Sequence, residues 1–228
     1  MPSILEPDSL TDVDERHDTA DGEIRDPLER ANRVTFTLNE TADRYLLGPI
    51  ARGYGYVTPA PAKAAFRRAV SNLGGPSRLI NDLLQGEFVK AGETASRFVL
   101  NSTVGVAGLF DIGDKIGLEH HETNFERTLE KYGLETGPYV VLPLMGPSSV
   151  RGAIGLVGDI VLDPLGQSLP GSTNFALGGA EAIVVREQFD DQIEFVRDSS
   201  IDHYATVRSI YGQQMIESDE LSPFLIVE

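Results

Sequence analysis

Cysteine is absent from this chain of 228 residues, which excludes a disulfide scaffold, a thiolate metal site and a cysteine nucleophile. No run of 18 or more uncharged apolar residues is present, so the sequence predicts no conventional transmembrane helix. Basic residues are also scarce, with 19 lysines and arginines against 35 acids. Because nucleic-acid binding needs a basic face, a nucleic-acid partner is excluded.

Hydrophobic residues make up 41% of the chain, which is enough for a folded core. The net charge of -16 is concentrated at the two ends. Residues 1–25 hold eight acids against two arginines, whereas residues 26–150 hold 14 acids and 13 bases. We therefore predict a disordered acidic leader at 1–25, a helical domain at 26–212 and an acidic tail at 213–228.

Apolar residues recur at helical spacing in many short segments that Gly-Pro pairs separate. The first helix is predicted to start at Asp26-Pro27 and to end at Gly48-Pro49. The alternation typical of a strand is best at Tyr139–Leu142, which is short. The prediction is an all-α protein, with further helices expected from Pro61, over 122–132, over about 174–197 and from Asp202.

Two polar pairs invite catalytic or metal-binding interpretations. His120 and His121 are adjacent and so point to different faces, which favours a helix start or a structural hydrogen bond over a metal site. Ser148 and Ser149 lie outside any G-x-S-x-G motif, and the sequence favours helix capping before Val150. An esterase built on one of these serines with His121 is the enzymatic alternative. The missing acid–base constellation favours a helical protein that handles apolar ligands or lies at a membrane surface.

Five blocks of the sequence occur in an order that resembles the MlaA family, also called VacJ. The blocks are spread over about 185 residues, from 26 to 211, and are highly specific as a set. They are DPLERANRVTFTLNETADRYLLGPIARGY (26–54), VSNLGGPSRLINDLLQG (70–86), RFVLNSTVGVAGLFDI (97–112), HETNFERTLEKYGLETGPYVVLPLMGPSSVRGAIGLVGD (121–159) and RDSSIDHYATVRSIY (197–211).

The resemblance implies a lipoprotein of the Gram-negative outer membrane that maintains lipid asymmetry. The implied fold is a ring of short amphipathic helices in the periplasmic leaflet, with an amphipathic channel at its centre. Mislocalised phospholipid would leave the outer leaflet through this channel and pass to the periplasmic carrier MlaC, beside a trimeric porin. No cofactor, metal or catalytic residue is implied. Short helices lying in one leaflet agree with the absence of a spanning segment.

The sequence departs from the family pattern in three places. The lipidated cysteine of the family is not in this sequence. We expect that it precedes residue 1, and the alternative is a member that its helical ring alone anchors. The usual aspartate-phenylalanine-glycine-glutamine-threonine run is Asn124 to Thr128 here, with two added charges. The glycine-phenylalanine pair common before Asn32 is Arg30-Ala31. The alternative function is a soluble periplasmic lipid-binding carrier or chaperone-like helical protein of the same ancestry.

A phospholipid channel needs polar groups along one path and aliphatic groups along another. Arg151 is the sharpest candidate, because it is a lone cation in an apolar helix. Its guanidinium is expected to bind a phosphate, to pair with an internal acid such as Asp159, or to extend to the membrane–water interface. For every candidate, ordinary packing or surface exposure is the alternative. The predicted channel residues are Asn32, Arg33, Asn39, Arg44, Tyr139, Leu142, Leu144, Met145 and Arg151.

Overall fold

The structure of the protein, a computed structural model, describes residues 25–221, with side chains as far as Met215. Most of these residues are helical, so the all-α prediction is confirmed. The predicted leader lies outside the described residues except for Arg25, and so do residues 222–228 of the predicted tail. The helices are α1 Glu29–Ala42, α2 Gly48–Val57, α3 Ala60–Leu73, α4 Gly75–Leu84, α5 Phe88–Thr103, α6 Ile112–Lys115, α7 Phe125–Lys131, α8 Val150–Leu162, α9 Pro164–Ser168, α10 Gly171–Gln188, α11 Asp190–Ser199 and α12 His203–Leu221.

The first helix does not end at Gly48-Pro49, so that prediction is wrong. A π-helical turn, Asp43–Leu47, joins α1 directly to α2, and the N–H of Gly48 donates to the carbonyl of Asp43. Proline in an α-helix clashes with the carbonyl four residues earlier. The wider π turn removes this clash and lets Pro49 lie inside a continuous helix.

A two-stranded antiparallel hairpin is the β-structure of the described residues. Strand β1, Tyr139–Leu142, has the predicted bounds, and β2 is Gly146–Ser149. Leu142 lies opposite Gly146 across the turn, where Leu144 and Gly146 both have left-handed backbone angles. The sequence GPSS of β2 has no apolar alternation, so its pattern did not predict a strand.

Helix α8 begins at Val150 as predicted, because the side chain of Ser149 accepts a hydrogen bond from the N–H of Gly152. The long helix predicted at about 174–197 is instead two helices that meet at Phe189. Asp190 and Asp191 occupy the first turn of α11, where acidic side chains stabilise a new helix N-terminus. Periodicity alone did not reveal this break.

The interior is unusually polar for a folded protein. Within residues 25–215, six hydrophobic side chains are buried, against eleven polar or charged ones. The buried apolar cluster is small and consists of Tyr139, Val141 and Tyr204, with Phe36 and Tyr211 packed against it. Most large hydrophobic side chains therefore lie at the surface rather than in a core.

Helices α7 and α8 lie closely together because glycines line the contact. A Cβ atom at Gly155 would stand 2.8 Å from the backbone nitrogen of Glu126. At Gly158 a Cβ atom would stand 2.0 Å from the ring of Phe125. This contact turns the opposite face of α8, which is apolar, outward. None of the helices in residues 25–221 is both long enough and apolar enough to cross a bilayer.

Candidate functional site

Two asparagines of α1 hold the hairpin against that helix. Asn32 donates to the carbonyl of Tyr139 at 3.1 Å and accepts from the N–H of Val141 at 2.9 Å. Asn39, two helical turns later, donates to the carbonyl of Leu142 at 2.9 Å and accepts from the N–H of Leu144 at 2.8 Å. Each amide satisfies one donor and one acceptor of the hairpin, as a neighbouring strand would. Both channel candidates are therefore engaged with protein backbone.

We predict that Asn32→Leu lowers the free energy of unfolding by about 3 kcal/mol, because it leaves buried backbone groups unpaired. Asn32 is only 4% exposed, and its amide also donates to Asp26 at 2.7 Å. Asn39 is more exposed, so Asn39→Leu should cost about 1 kcal/mol. Chemical denaturation in detergent measures both losses of stability. Equal losses would contradict the greater contribution that we assign to the buried Asn32.

Apart from Arg151, the remaining candidates are one arginine that ion pairs hold in place and five residues that range from fully buried to exposed. Arg33 bridges Glu29 at 2.7 Å and Asp202 at 2.8 Å, and its guanidinium lies 4.4 Å from the ring centre of Tyr204. These contacts tie the start of α12 to α1. The other candidates are Arg44, which is exposed, Tyr139, which is fully buried, Leu142, which is half-buried, and Leu144 and Met145, which are 80% and 66% exposed at the turn.

Arg151 is buried against α7, so the expectation that it extends to the interface is wrong. Its side chain is 6% exposed and lies 3.6 Å from Glu126 and 3.7 Å from Glu130. It also donates to the carbonyl of Leu134 at 3.2 Å. Asp159 is not among these ion-pair partners, because it lies about two helical turns further along α8.

Asp159 instead anchors the N-terminus of α7. It accepts from the N–H of Phe125 at 2.9 Å and from Asn81 of α4 at 3.1 Å. Burial raises the pKa of Asp159, although these two hydrogen bonds reduce the shift. Asn81 in turn accepts from Thr128 at 2.8 Å. A buried polar network thus joins α4, α7 and α8.

A second charged network joins the π turn to α10 and α11. Arg186 is 5% exposed and donates to Asp43 at 2.6 Å, to Asp190 at 2.5 Å and to Glu194 at 2.9 Å. Arg197 shares Asp43 at 2.8 Å and Glu194 at 2.6 Å. Burial raises the pKa of Asp43, but the hydrogen bonds and charges of the two arginines outweigh it and lower the pKa. Its carboxylate therefore stays ionised within the fold.

The sequence did not lead us to predict a cleft that lies between α3, α4 and α5. It has a volume of about 250 Å³ and is lined mainly by polar side chains. Four arginines contribute, namely Arg67, Arg68, Arg78 and Arg97. The adjacent pair at 67–68 was the available signal, but a charged pair on a short helix is usually a solvated face.

The two polar pairs noted in the sequence have structural contacts. His121 lies 2.8 Å from the buried Asp82, which also accepts from Thr94 at 2.7 Å. His120 lies 2.7 Å from Glu122. Ser149 is the cap of α8, so its hydroxyl is already engaged. Within the described residues, no group of three or more potential metal ligands is present.

Apolar side chains cover the outer face of α8. Ile154, Val157, Ile160 and Val161 are 47%, 61%, 63% and 61% exposed. A further set follows α1, the π turn and α2, and its members are Val34, Leu38, Tyr45, Leu46, Ile50, Tyr56 and Val57. Exposed apolar faces of this extent mark interaction with a membrane or a partner.

Known proteins resemble this chain over most of its length. A family model described as MlaA lipoprotein matches residues 24–217. Two curated relatives are called intermembrane phospholipid transport system lipoprotein MlaA. The Haemophilus influenzae protein is 29% identical over 221 residues, covering 94% of this chain and 88% of its own length. The Escherichia coli protein is 31% identical over 205 residues, covering 87% and 81%.

A solved structure gives the same assignment. It comes from a study of the structural basis for maintenance of bacterial outer membrane lipid asymmetry. Its TM-score is 0.72 at 33% identity, and the match covers 83% of this chain and 96% of that one. The match to the family model spans most of the chain, and the solved structure has the same fold. The chain therefore belongs to the MlaA lipoprotein family.

Proposed function

We propose that this protein moves phospholipid as a component of the outer membrane, embedded in the periplasmic leaflet. The observation that carries the proposal is the inverted distribution of side chains, with asparagines and arginines buried and large hydrophobic residues exposed. In water this arrangement would leave much apolar surface unprotected. In a lipid leaflet the same surface is solvated by acyl chains, and the buried polar groups pair with one another.

The dimensions of the apolar helix support a position in one leaflet. Helix α8 has 13 residues, which corresponds to a length of about 20 Å. A hydrocarbon core is about 30 Å thick, so this helix is too short to cross it but long enough for half of it. The exposed apolar residues of α1 and α2 supply a second lipid-facing surface on the same chain.

The proposed path for lipid is an amphipathic channel through a ring of these helices. A phospholipid crossing the protein must keep its headgroup among polar groups and its tails among apolar ones. Exposed Arg44 supplies a polar contact, and Leu144 and Met145 at the hairpin turn supply apolar ones. The lipid remains intact, because the proposal includes no covalent step.

The proposed destination of the lipid is a soluble periplasmic carrier of the MlaC type, and the proposed neighbour is a trimeric porin. The names of the Haemophilus influenzae and Escherichia coli relatives support a multi-component pathway, because both are called members of a transport system. The direction of lipid movement then depends on the gradient that these partners maintain, since a passive channel does not set it.

Deletion of the gene in its native bacterium tests the proposal. We expect phospholipid to accumulate in the outer leaflet, where an added phospholipase reaches it in intact cells. The full chain supplied from a plasmid should restore the wild-type level, with the empty plasmid as control. Unchanged surface phospholipid in the deletion strain would contradict the proposal. Recovery of the protein only in the soluble periplasmic fraction would support a soluble carrier instead.

A further inference from the structure

The arginine-lined cleft between α3, α4 and α5 contains two kinds of arginine. Arg78 and Arg97 are nearly buried, with side chains 12% and 10% exposed. Arg78 pairs with Glu122 at 3.1 Å, and Arg97 pairs with Asp111 at 2.6 Å. Each of these two arginines is therefore fixed and neutralised by an acid, and they form the walls of the cleft.

Arg67 and Arg68 differ because neither forms an ion pair with a carboxylate in the part of the chain that the structure describes. Both are half-buried and line the same cleft. Arg68 donates through Nε to the carbonyl of Leu109 at 2.9 Å, which leaves its terminal nitrogens available. The carboxylates in the lining are Asp111, held by Arg97, and the exposed Glu119. The cleft therefore has a local excess of positive charge.

The loop before α6 fixes the position of Arg68. Residues 106–108 all have left-handed backbone angles, with φ values of 54°, 56° and 85°. Gly108 is pressed against α3 so closely that a Cβ atom there would stand 2.6 Å from Asn72. This contact brings the Leu109 carbonyl onto Nε of Arg68 and orients the guanidinium in the cleft.

We propose that this cleft binds a phosphate group through Arg67 and Arg68. Guanidinium groups match phosphate oxygens in pairs, and charge-assisted hydrogen bonds of this kind are strong. A volume of about 250 Å³ accommodates a phosphate group and part of what it is attached to. The ring of Phe98 also lines the cleft, and it suits a ligand that has an apolar portion.

The phosphate group belongs either to a phospholipid headgroup or to a free phosphate. The lipid source rests on the proposed function, whereas the site itself rests on the arginines. Binding to the full chain in an uncharged detergent distinguishes the sources by titration calorimetry with two probes, inorganic phosphate and a short-chain phosphatidylglycerol. Tighter binding of the lipid by about tenfold or more identifies the headgroup, and equal affinities identify free phosphate.

The double variant Arg67→Gln, Arg68→Gln tests the site. We expect its affinity for the tighter probe to fall by about tenfold or more, because two charge-assisted contacts are lost. The matched control is Arg30→Gln, Arg127→Gln, which removes the same charge from exposed positions away from the cleft. Its affinity should change less than about twofold, as expected for screened charges. Circular dichroism melting checks that all three proteins are folded.

Several outcomes would overturn the inference. Neither probe binding to the wild type would do so, and so would equal weakening by the double variant and the control. The outcome is separable from that of the proposed function. A protein that restores lipid asymmetry but binds neither probe refutes the site alone, whereas a protein that binds phosphate but fails to restore asymmetry refutes the function alone.

Discussion

The variant Val157→Glu, Ile160→Glu should fail to float with phospholipid vesicles under conditions in which the wild-type chain floats. Both positions lie on the outer face of α8 and are more than half exposed, at 61% and 63%. In the protein free of lipid, glutamate side chains at these positions would lie in water and leave the packing of α8 undisturbed, so the fold should persist. Placing a charged side chain inside a membrane costs about 2.5 kcal/mol or more. Two such residues should therefore weaken association by about 100-fold or more.

The matched control keeps the same positions apolar. Val157→Leu, Ile160→Leu should float like the wild type, because it preserves an aliphatic face in contact with lipid. Thermal melting followed by circular dichroism in detergent should give similar transitions for all three proteins. Normal flotation of the glutamate variant would mean that α8 does not face lipid.

The second large effect is expected for Arg186→Met, which should lower the free energy of unfolding by about 3–5 kcal/mol. Removing this buried cation leaves three neighbouring carboxylates with one buried arginine, Arg197, which contacts Asp43 and Glu194. Breaking a buried ion pair is costly because the remaining charges stay desolvated. Denaturant titration in detergent measures the loss.

Arg52→Met is the matched control, because Arg52 contacts two of the same acids from the surface. Its side chain is 48% exposed and lies 3.5 Å from Asp190 and 3.4 Å from Glu194. Exposed ion pairs contribute little, so the expected loss is below about 1 kcal/mol. A similar loss in both variants would contradict a buried role for Arg186.

The pH dependence of Arg186→Met has a definite sign. In the wild type the pKa values of Asp43 and Glu194 are lowered, because the arginine hydrogen bonds and charges outweigh burial. A lowered pKa stabilises the fold above the unfolded value, and this stabilisation is lost as the pH falls through the folded value. Without Arg186 these pKa values rise, so the difference in stability from the wild type should shrink as the pH falls from 7 towards about 4.

Local chemistry in the sequence predicted part of the fold. Ser149 before Val150 is a cap that acts within three residues, and the structure has it as predicted. Tyr139–Leu142 alternates and forms a strand with the predicted bounds. The continuity of α1 into α2 was missed, because proline ordinarily ends a helix and the π turn that accommodates Pro49 has no sequence signature that we used.

The candidate site depended more on contacts between distant segments. Asn32 and Asn39 are seven residues apart and so share a helix face, which the sequence does indicate. That this face meets the hairpin about a hundred residues later is a tertiary fact. Likewise Arg151 and Asp159 lie on one helix, yet Arg151 pairs with acidic side chains of α7, whereas Asp159 accepts from the first backbone N–H of that helix. The cleft around Arg67 and Arg68 exists only once three helices have packed.

The location of α8 in a lipid leaflet is the central claim, and a fluorescent label tests it most directly. Since the chain has no cysteine, Val157→Cys and Asp114→Cys each create a unique labelling position. Val157 is exposed on the apolar face of α8, and Asp114 is an exposed charged residue of the short helix α6. In vesicles, we expect lipid-attached quenchers in the acyl region to quench the Val157 label strongly and the Asp114 label weakly. Equal, weak quenching of both labels would contradict the location of α8 in the leaflet.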